Sequence, residues 1–236
     1  MANTTDTTAF NLDLNSIVEE AFERCGAELR SGYDLRTARR SLNLLLLDWA
    51  NRGINMWTID PGTIPLVVGT ATYDLPLDTV DLLEHVLRTG AGQTQIDHNM
   101  ARISVSDYAK VTNKNTPGRP LQVWIQRRSG AIDSTGTPVP PRVTVWPVPD
   151  RADYYTLAYY RLRRMQDAGN GANGQDIPFR FLPALVSGLA YYLSLKIPSG
   201  LERRGELKAE YESQWELAAT EDRDRSTLRI VPRFGY

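Results

Sequence analysis

The chain has 236 residues, 42% hydrophobic and 23% charged, with a formal net charge of -1. That length supplies one large core or two small ones, and the near-neutral balance excludes a global electrostatic pull towards nucleic acid or anionic membrane. The single cysteine, Cys25, excludes an intrachain disulfide and a multi-cysteine metal site, and no apolar run is long enough to span a bilayer, since Leu44-Leu45-Leu46-Leu47 meets Asp48 at once.

Residues 1–13 form a polar, Thr-rich lead without periodicity. They lack the basic start and apolar stretch of a secretory signal, which predicts retention in the compartment of synthesis. From Asn15 the pattern turns helical: Ile17, Ala21 and Cys25 recur every fourth residue beside Val18 and Phe22, and Ser16 with Glu19 has capping-box spacing. Cys25 falls on the apolar face and reads as core filling. Asp34 reads as the cap of a second helix with Ala38, Leu42, Leu45, Leu46 and Trp49 on its apolar face and a stop near Gly53. The short connection predicts an antiparallel helical hairpin.

From about Met56 to Leu162 the texture changes to short β-rich runs at 64–68, 71–75, 82–88, 121–126, 142–146 and 155–162, separated by Pro, Gly and Asp clusters. Leu121, Val123 and Ile125 alternate with polar or amphipathic residues, as do Val143 and Val145, which is the pattern of half-buried strands. No long helices intervene, so the runs predict an antiparallel sandwich and not a parallel βαβ sheet.

After the glycine-rich segment 169–175, helical periodicity returns with Leu182, Leu185, Val186, Leu189 and Leu193, and Pro198 ends it. Ser199 and Glu202 have a second capping-box spacing, followed by Leu207, Tyr211 and Trp215 at four-residue steps. The expected architecture is α+β. A discontinuous four-helix bundle is built from 14–55 and 176–222, an antiparallel β-sandwich domain is inserted over 56–168, and an extended C-terminal tail follows from 223 to 236.

Several patterns carry chemistry by letter but not by context. Gly169, Gly171 and Gly174 match a dinucleotide loop, yet Gln175, Asp176 and Pro178 separate them from the next helix and no βαβ unit surrounds them, so they read as linker. His85 and His98, with Glu84 and Asp97 beside them, flank an expected turn without metal-ligand spacing and read as surface or strand-edge residues. Glu19, Glu20 and Glu23 supply the carboxylates a cell-wall hydrolase would need, but lie on the outer face of an amphipathic helix. Arg161, Arg163 and Arg164 with Tyr159 and Tyr160, and Arg127 with Arg128, suit either phosphate contact or ordinary alternation along strands. No catalytic residue, cofactor or metal site is expected.

The C-terminus departs from this pattern. Arg223, Arg225, Arg229 and Arg233 are interspersed with Leu228, Ile230, Val231, Phe234 and Tyr236, a mixture of cations and large apolar groups that suits a docking arm ordered on a partner. Pro232 lacks a backbone donor and limits any added strand to one side or a short length.

The phrases RRSLNLLLLDWANRGINMWT (39–58), TPGRPLQVWI (116–125), VTVWPVPDRADYYTLAYYRLRRM (143–165) and DIPFRFLPALVSGLAYYLSLK (176–196), followed by a terminal helix, resemble in that order the head-to-tail adaptors of podoviruses. These are also called tail tubular protein A or packaged-DNA-stabilisation proteins. The resemblance implies a non-enzymatic virion protein in the tail at the portal vertex, assembled there from the host cytoplasm, with no membrane association. It implies a homo-oligomeric ring, usually of twelve copies, beneath the portal protein, with DNA passing through the channel without sequence-specific binding. Its partners would be the portal, the tail nozzle, and tail fibre or spike proteins. The helical part would form the ring wall and the β-part would lie outward or towards the tail. The C-terminal arm (Arg225, Leu228, Arg229, Ile230, Val231, Arg233, Phe234, Tyr236) would reach the portal. Pro183 departs from the simplest pattern, because it falls early in the third long helix. The alternatives left by the residues themselves are a nucleic-acid-binding module and a virion-associated cell-wall hydrolase.

Overall fold

The computed structural model describes residues 12–53, 56–128, 130–167, 169 and 175–223. Among these, the elements run α1 (Leu14–Arg24), α2 (Gly32–Asn51), β1 (Ile59–Pro65), β2 (Thr72–Asp74), β3 (Thr79–Thr89), β4 (Ile96–Asn99), β5 (Ala101–Arg102), α3 (Val105–Lys110), β6 (Gln122–Gln126), β7 (Arg142–Trp146), β8 (Tyr155–Arg163), α4 (Leu182–Ser194) and α5 (Arg204–Glu221). The fold is α+β with largely antiparallel sheets, and the chain divides into two compact units: Thr58–Arg164, and the residues on either side of that span.

In the flanking unit, α1, α2, α4 and α5 all contribute to one apolar core. The expected faces are the buried ones: Ile17, Val18, Ala21, Phe22 and Cys25 on one side, and Ala38, Leu42, Leu45, Leu46 and Trp49 on the other. Each buried leucine contributes about 1.5–3 kcal/mol relative to exposure. Helix α4 is buried on nearly every side, and its Gly188 permits this. A Cβ there would stand 2.9 Å from Leu45 Cδ2 and 2.9 Å from Tyr211 Cε2. At one end of the core four rings pack together, with centroids 4.7 Å apart for Trp49 and Trp215, 5.7 Å for Trp49 and Phe181, and 4.5 Å for Trp57 and Phe181.

The helix starts differ from the sequence expectation. Asp13, not Ser16, caps α1, its carboxylate accepting the Ser16 N–H at 2.8 Å. Ser31, not Asp34, caps α2: Asp34 is the third helical residue and closes a reciprocal capping box with Ser31. Ser199 lies in the 3-10 turn Pro198–Gly200, and α5 begins at Arg204 without a side-chain cap, so the expected Ser199/Glu202 box does not form. Pro183 is accommodated because α4 starts at Leu182, which places the proline in the first turn where its missing N–H has no intrahelical partner to lose.

In the β unit one sheet has the order β1-β8-β3-β4 and the other β2-β7-β6-β5. All strand pairs are antiparallel except the two-residue pairing of β5 with β6. One core takes Leu82, Leu87, Leu157 and Tyr159 from the first sheet and Val123, Ile125, Val143 and Val145 from the second. The run expected at 64–68 begins earlier, at Ile59, because pairing with β8 extends from Ile59 opposite Leu162 to Pro65 opposite Thr156. Pro61 and Pro65 are tolerated there because β1 is an edge strand. Gly62 lies directly beneath the Tyr159 ring, where a Cβ would come within 2.5 Å of it. Strands β4 and β5 and helix α3 have no counterpart in the sequence expectation.

Candidate functional site

The arginines on β8 alternate with tyrosines, and the pleat separates them: Tyr159 is buried and Tyr160 exposed. The guanidinium groups are already engaged. Arg161, with a side chain only 13% exposed, donates to Asp78, to Thr79 Oγ1 at 3.1 Å and to Asp60 at 3.2 Å. Arg163 pairs with the same Asp60 at 3.2 Å, and Arg164 donates to the Leu77 carbonyl at 2.7 Å. Burial opposes ionisation of Asp78, but the hydrogen bond and charge of Arg161 outweigh it and hold the carboxyl below its ordinary range. Arg127 likewise pairs with Asp81, which also receives Arg102 at 2.8 Å. Arg128 is exposed. Arg161, Arg163 and Arg127 are thus tied to carboxylates and Arg164 to a backbone carbonyl, which favours internal ties over a phosphate cradle.

The other candidates are structural as well. Glu19, Glu20 and Glu23 all face outward, and Glu20 forms an ion pair with Arg24 at 2.8 Å. His85 lies within β3 and is not the surface residue expected: its ring nitrogens are shielded from solvent without a hydrogen-bond partner of ordinary geometry. Burial lowers its pKa, against weaker opposing effects from the Met100 backbone and from Glu84 and Asp81. His98 lies on β4, where Nε2 is 3.3 Å from Thr89 Oγ1. Cys25 is fully buried, its thiol donating to the Ala190 carbonyl at 3.1 Å, and burial pushes its pKa up to about 11. Such a thiol is inert at neutral pH. Among the described residues no three His, Cys, Asp or Glu side chains converge as a metal-ligand set, and no helix is long and apolar enough to cross a membrane.

The docking-arm residues Arg225, Leu228, Arg229, Ile230, Val231, Arg233, Phe234 and Tyr236 lie outside the described residues, as does most of the glycine-rich segment. Arg223, just ahead of the arm, is exposed.

The surface feature that sequence reading missed lies on α2, on the side away from the core. Tyr33, Arg36, Arg40, Leu44 and Leu47 follow one another at three- and four-residue steps and therefore share a face. Tyr33 is 65% exposed, Leu44 55% and Leu47 60%. A depression of about 430 Å³ is lined by Tyr33, Arg36, Arg39 and Arg40, and a neighbouring one of about 520 Å³ shares Tyr33 and Arg40 and continues to Leu44 and Lys196. Among the described residues, Arg36 and Arg40 have no carboxylate partner, and the buried Nε of Arg39 has no acceptor. The signal lies in the three- and four-residue spacing of these residues, on the face opposite the core stripe.

The exposed cationic and apolar face of α2 is the kind of surface by which a protein attaches to a partner. The family model for the SU10 adaptor protein matches residues 13–233, and the chain belongs to that family. Membership agrees with the resemblance to phage head-to-tail adaptors and with a structural role. No curated protein matches the chain.

Proposed function

We propose that this chain is the head-to-tail adaptor of a short-tailed phage, linking the capsid's portal to the tail while DNA passes through the ring formed by its copies, usually twelve. The helical parts (14–55 and 176–222) act as a four-helix bundle forming the ring wall. The inserted region 56–168, read as a sandwich, meets the nozzle and fibre or spike proteins. Residues 223–236 are the arm that reaches the portal. The mechanism is geometric: heterologous contacts close the ring, and many weak arms together hold firmly. The protein is carried in the virion tail after assembly from the host cytoplasm.

The observation that carries this reading is the extent of the family match, which runs through both units and into the arm. The pairing of Arg161 and Arg163 with carboxylates, and of Glu20 with Arg24, supports this reading over the nucleic-acid and hydrolase ones, which drew on those residues among others. Electron microscopy of the purified protein mixed with its portal ring tests the assignment. Ring density stacked on the portal, lost when residues 227–236 are deleted, is the expected result. No stacking with the full chain would overturn it.

A further inference from the structure

The exposed face of α2 has a counterpart on the same molecule. In the core, Leu45 and Tyr211 meet at Gly188, while Trp49 lies against Tyr211 (3.0 Å, N–H to hydroxyl) and Trp215 (4.7 Å between centroids). Helices α2 and α5 both pack on α4, and the Met56 N–H just past α2 reaches the Asp222 carboxylate just past α5 at 2.9 Å, so the two helices run in the same direction with Leu45, Trp49 and Met56 near the levels of Tyr211, Trp215 and Asp222. Extended outward, these levels put Arg40 beside Glu206 in the first turn of α5, and Arg36 towards the turn that carries Glu202. Leu47 comes level with Ser213.

Glu206, on the side of α5 turned away from its buried Leu207 and Tyr211, and Glu202, in the turn just before the helix, are both exposed, and among the described residues neither has a cationic partner. Further along the same side come Glu210, which Arg24 of the same chain already engages at 2.7 Å, then Ser213 and the 63%-exposed Leu217. Each helix thus has unpaired charge at or just before its beginning and small or apolar groups towards its end, and the unpaired charges are opposite in sign.

We infer that the outer face of α2 docks on the outer face of α5 and the turn before it in a second copy of this chain, Arg36 and Arg40 meeting Glu202 and Glu206 while Leu44 and Leu47 pack near Ser213 and Leu217. A rotation about an axis running along the helices preserves their levels, so every copy presents acid where its neighbour presents arginine. The contact is heterologous and closes into a ring. Nucleic acid would satisfy the arginines but leave the leucines in water, whereas a protein face covers both. This inference rests on the ring reading proposed above and names the surfaces that form it.

The test uses the full chain, alone and mixed with its portal ring, with assembly read by sedimentation and electron microscopy. Reversing the arginines (Arg36→Glu with Arg40→Glu) or the acids (Glu202→Arg with Glu206→Arg) is expected to raise the concentration for half-assembly about tenfold or more, and combining all four is expected to restore it. Circular dichroism confirms that each variant is folded. Leu47→Cys with Ser213→Cys should give a disulfide ladder of multimers on oxidation, and either single variant should not. Rings indifferent to both reversals and giving no ladder would overturn the pairing while leaving the ring intact. Intact rings with lost salt-sensitive DNA binding in the arginine variant would overturn it in favour of a nucleic-acid contact. A wild-type chain that forms no ring under either condition would overturn the ring reading, and this inference with it.

Discussion

The indole N–H of Trp49 donates to the hydroxyl of Tyr211 at 3.0 Å, joining residues 162 positions apart in the chain. The hydroxyl in turn lies 3.3 Å from the Asp48 carboxylate, and burial raises the Tyr211 pKa. Tyr211→Phe keeps the ring but strands a buried indole donor, at a cost of about 1–3 kcal/mol. Chemical denaturation should show a lower midpoint with an unchanged slope; an unchanged midpoint would mean that water replaces the hydroxyl.

Gly188→Ala should destabilise the protein even though alanine is the better helix former by about 1 kcal/mol. The added carbon would stand 2.9 Å from both Leu45 and Tyr211, so overpacking of about 1–3 kcal/mol outweighs propensity. Thermal unfolding decides the sign, and a raised Tm would show that these side chains yield freely.

Arg161→Ala should weaken the β unit, since it leaves Asp78 and Asp60 without their shared partner. The two carboxylates keep 46% and 38% of their side-chain surface exposed, so solvent screens part of the loss and the expected cost is about 1–3 kcal/mol. Proteolysis should then begin between residues 58 and 164.

His85 predicts a dependence on pH. Its folded-state pKa lies below the ordinary value of 6.5, so on acidification the unfolded chain takes up the proton first. The stability present above that ordinary value falls as pH drops through it, and the loss ends once pH is below the folded-state pKa. Replacing His85 with Gln should flatten Tm against pH between about 7 and 5. An unaltered slope would assign the effect to other groups.

The two helical faces, the alternation of Val143 and Val145, and the resemblance to phage adaptors were legible in the sequence, because each rests on local period or residue order. The caps were misplaced by three residues at both of the first two helices. Spacing alone does not distinguish a cap at Asp13 or Ser31 from a partner three positions on; only the backbone turning into the helix does so. Strands β4 and β5 were invisible because Ile96 is exposed and Ala101–Arg102 is two residues long; they are strands only because β3 and β6 present partners.

The sequence by itself determined which helix and strand faces would be buried, since hydrophobic periodicity is written along the chain, and the family, whose phrases stand in order along it. Tertiary structure alone decided that Arg161 is spent on Asp60 and Asp78 while Arg36 and Arg40 meet no carboxylate among the described residues. A guanidinium's role depends on which carboxylate lies within a few ångströms, and that is set by strand register and helix packing between residues far apart in sequence.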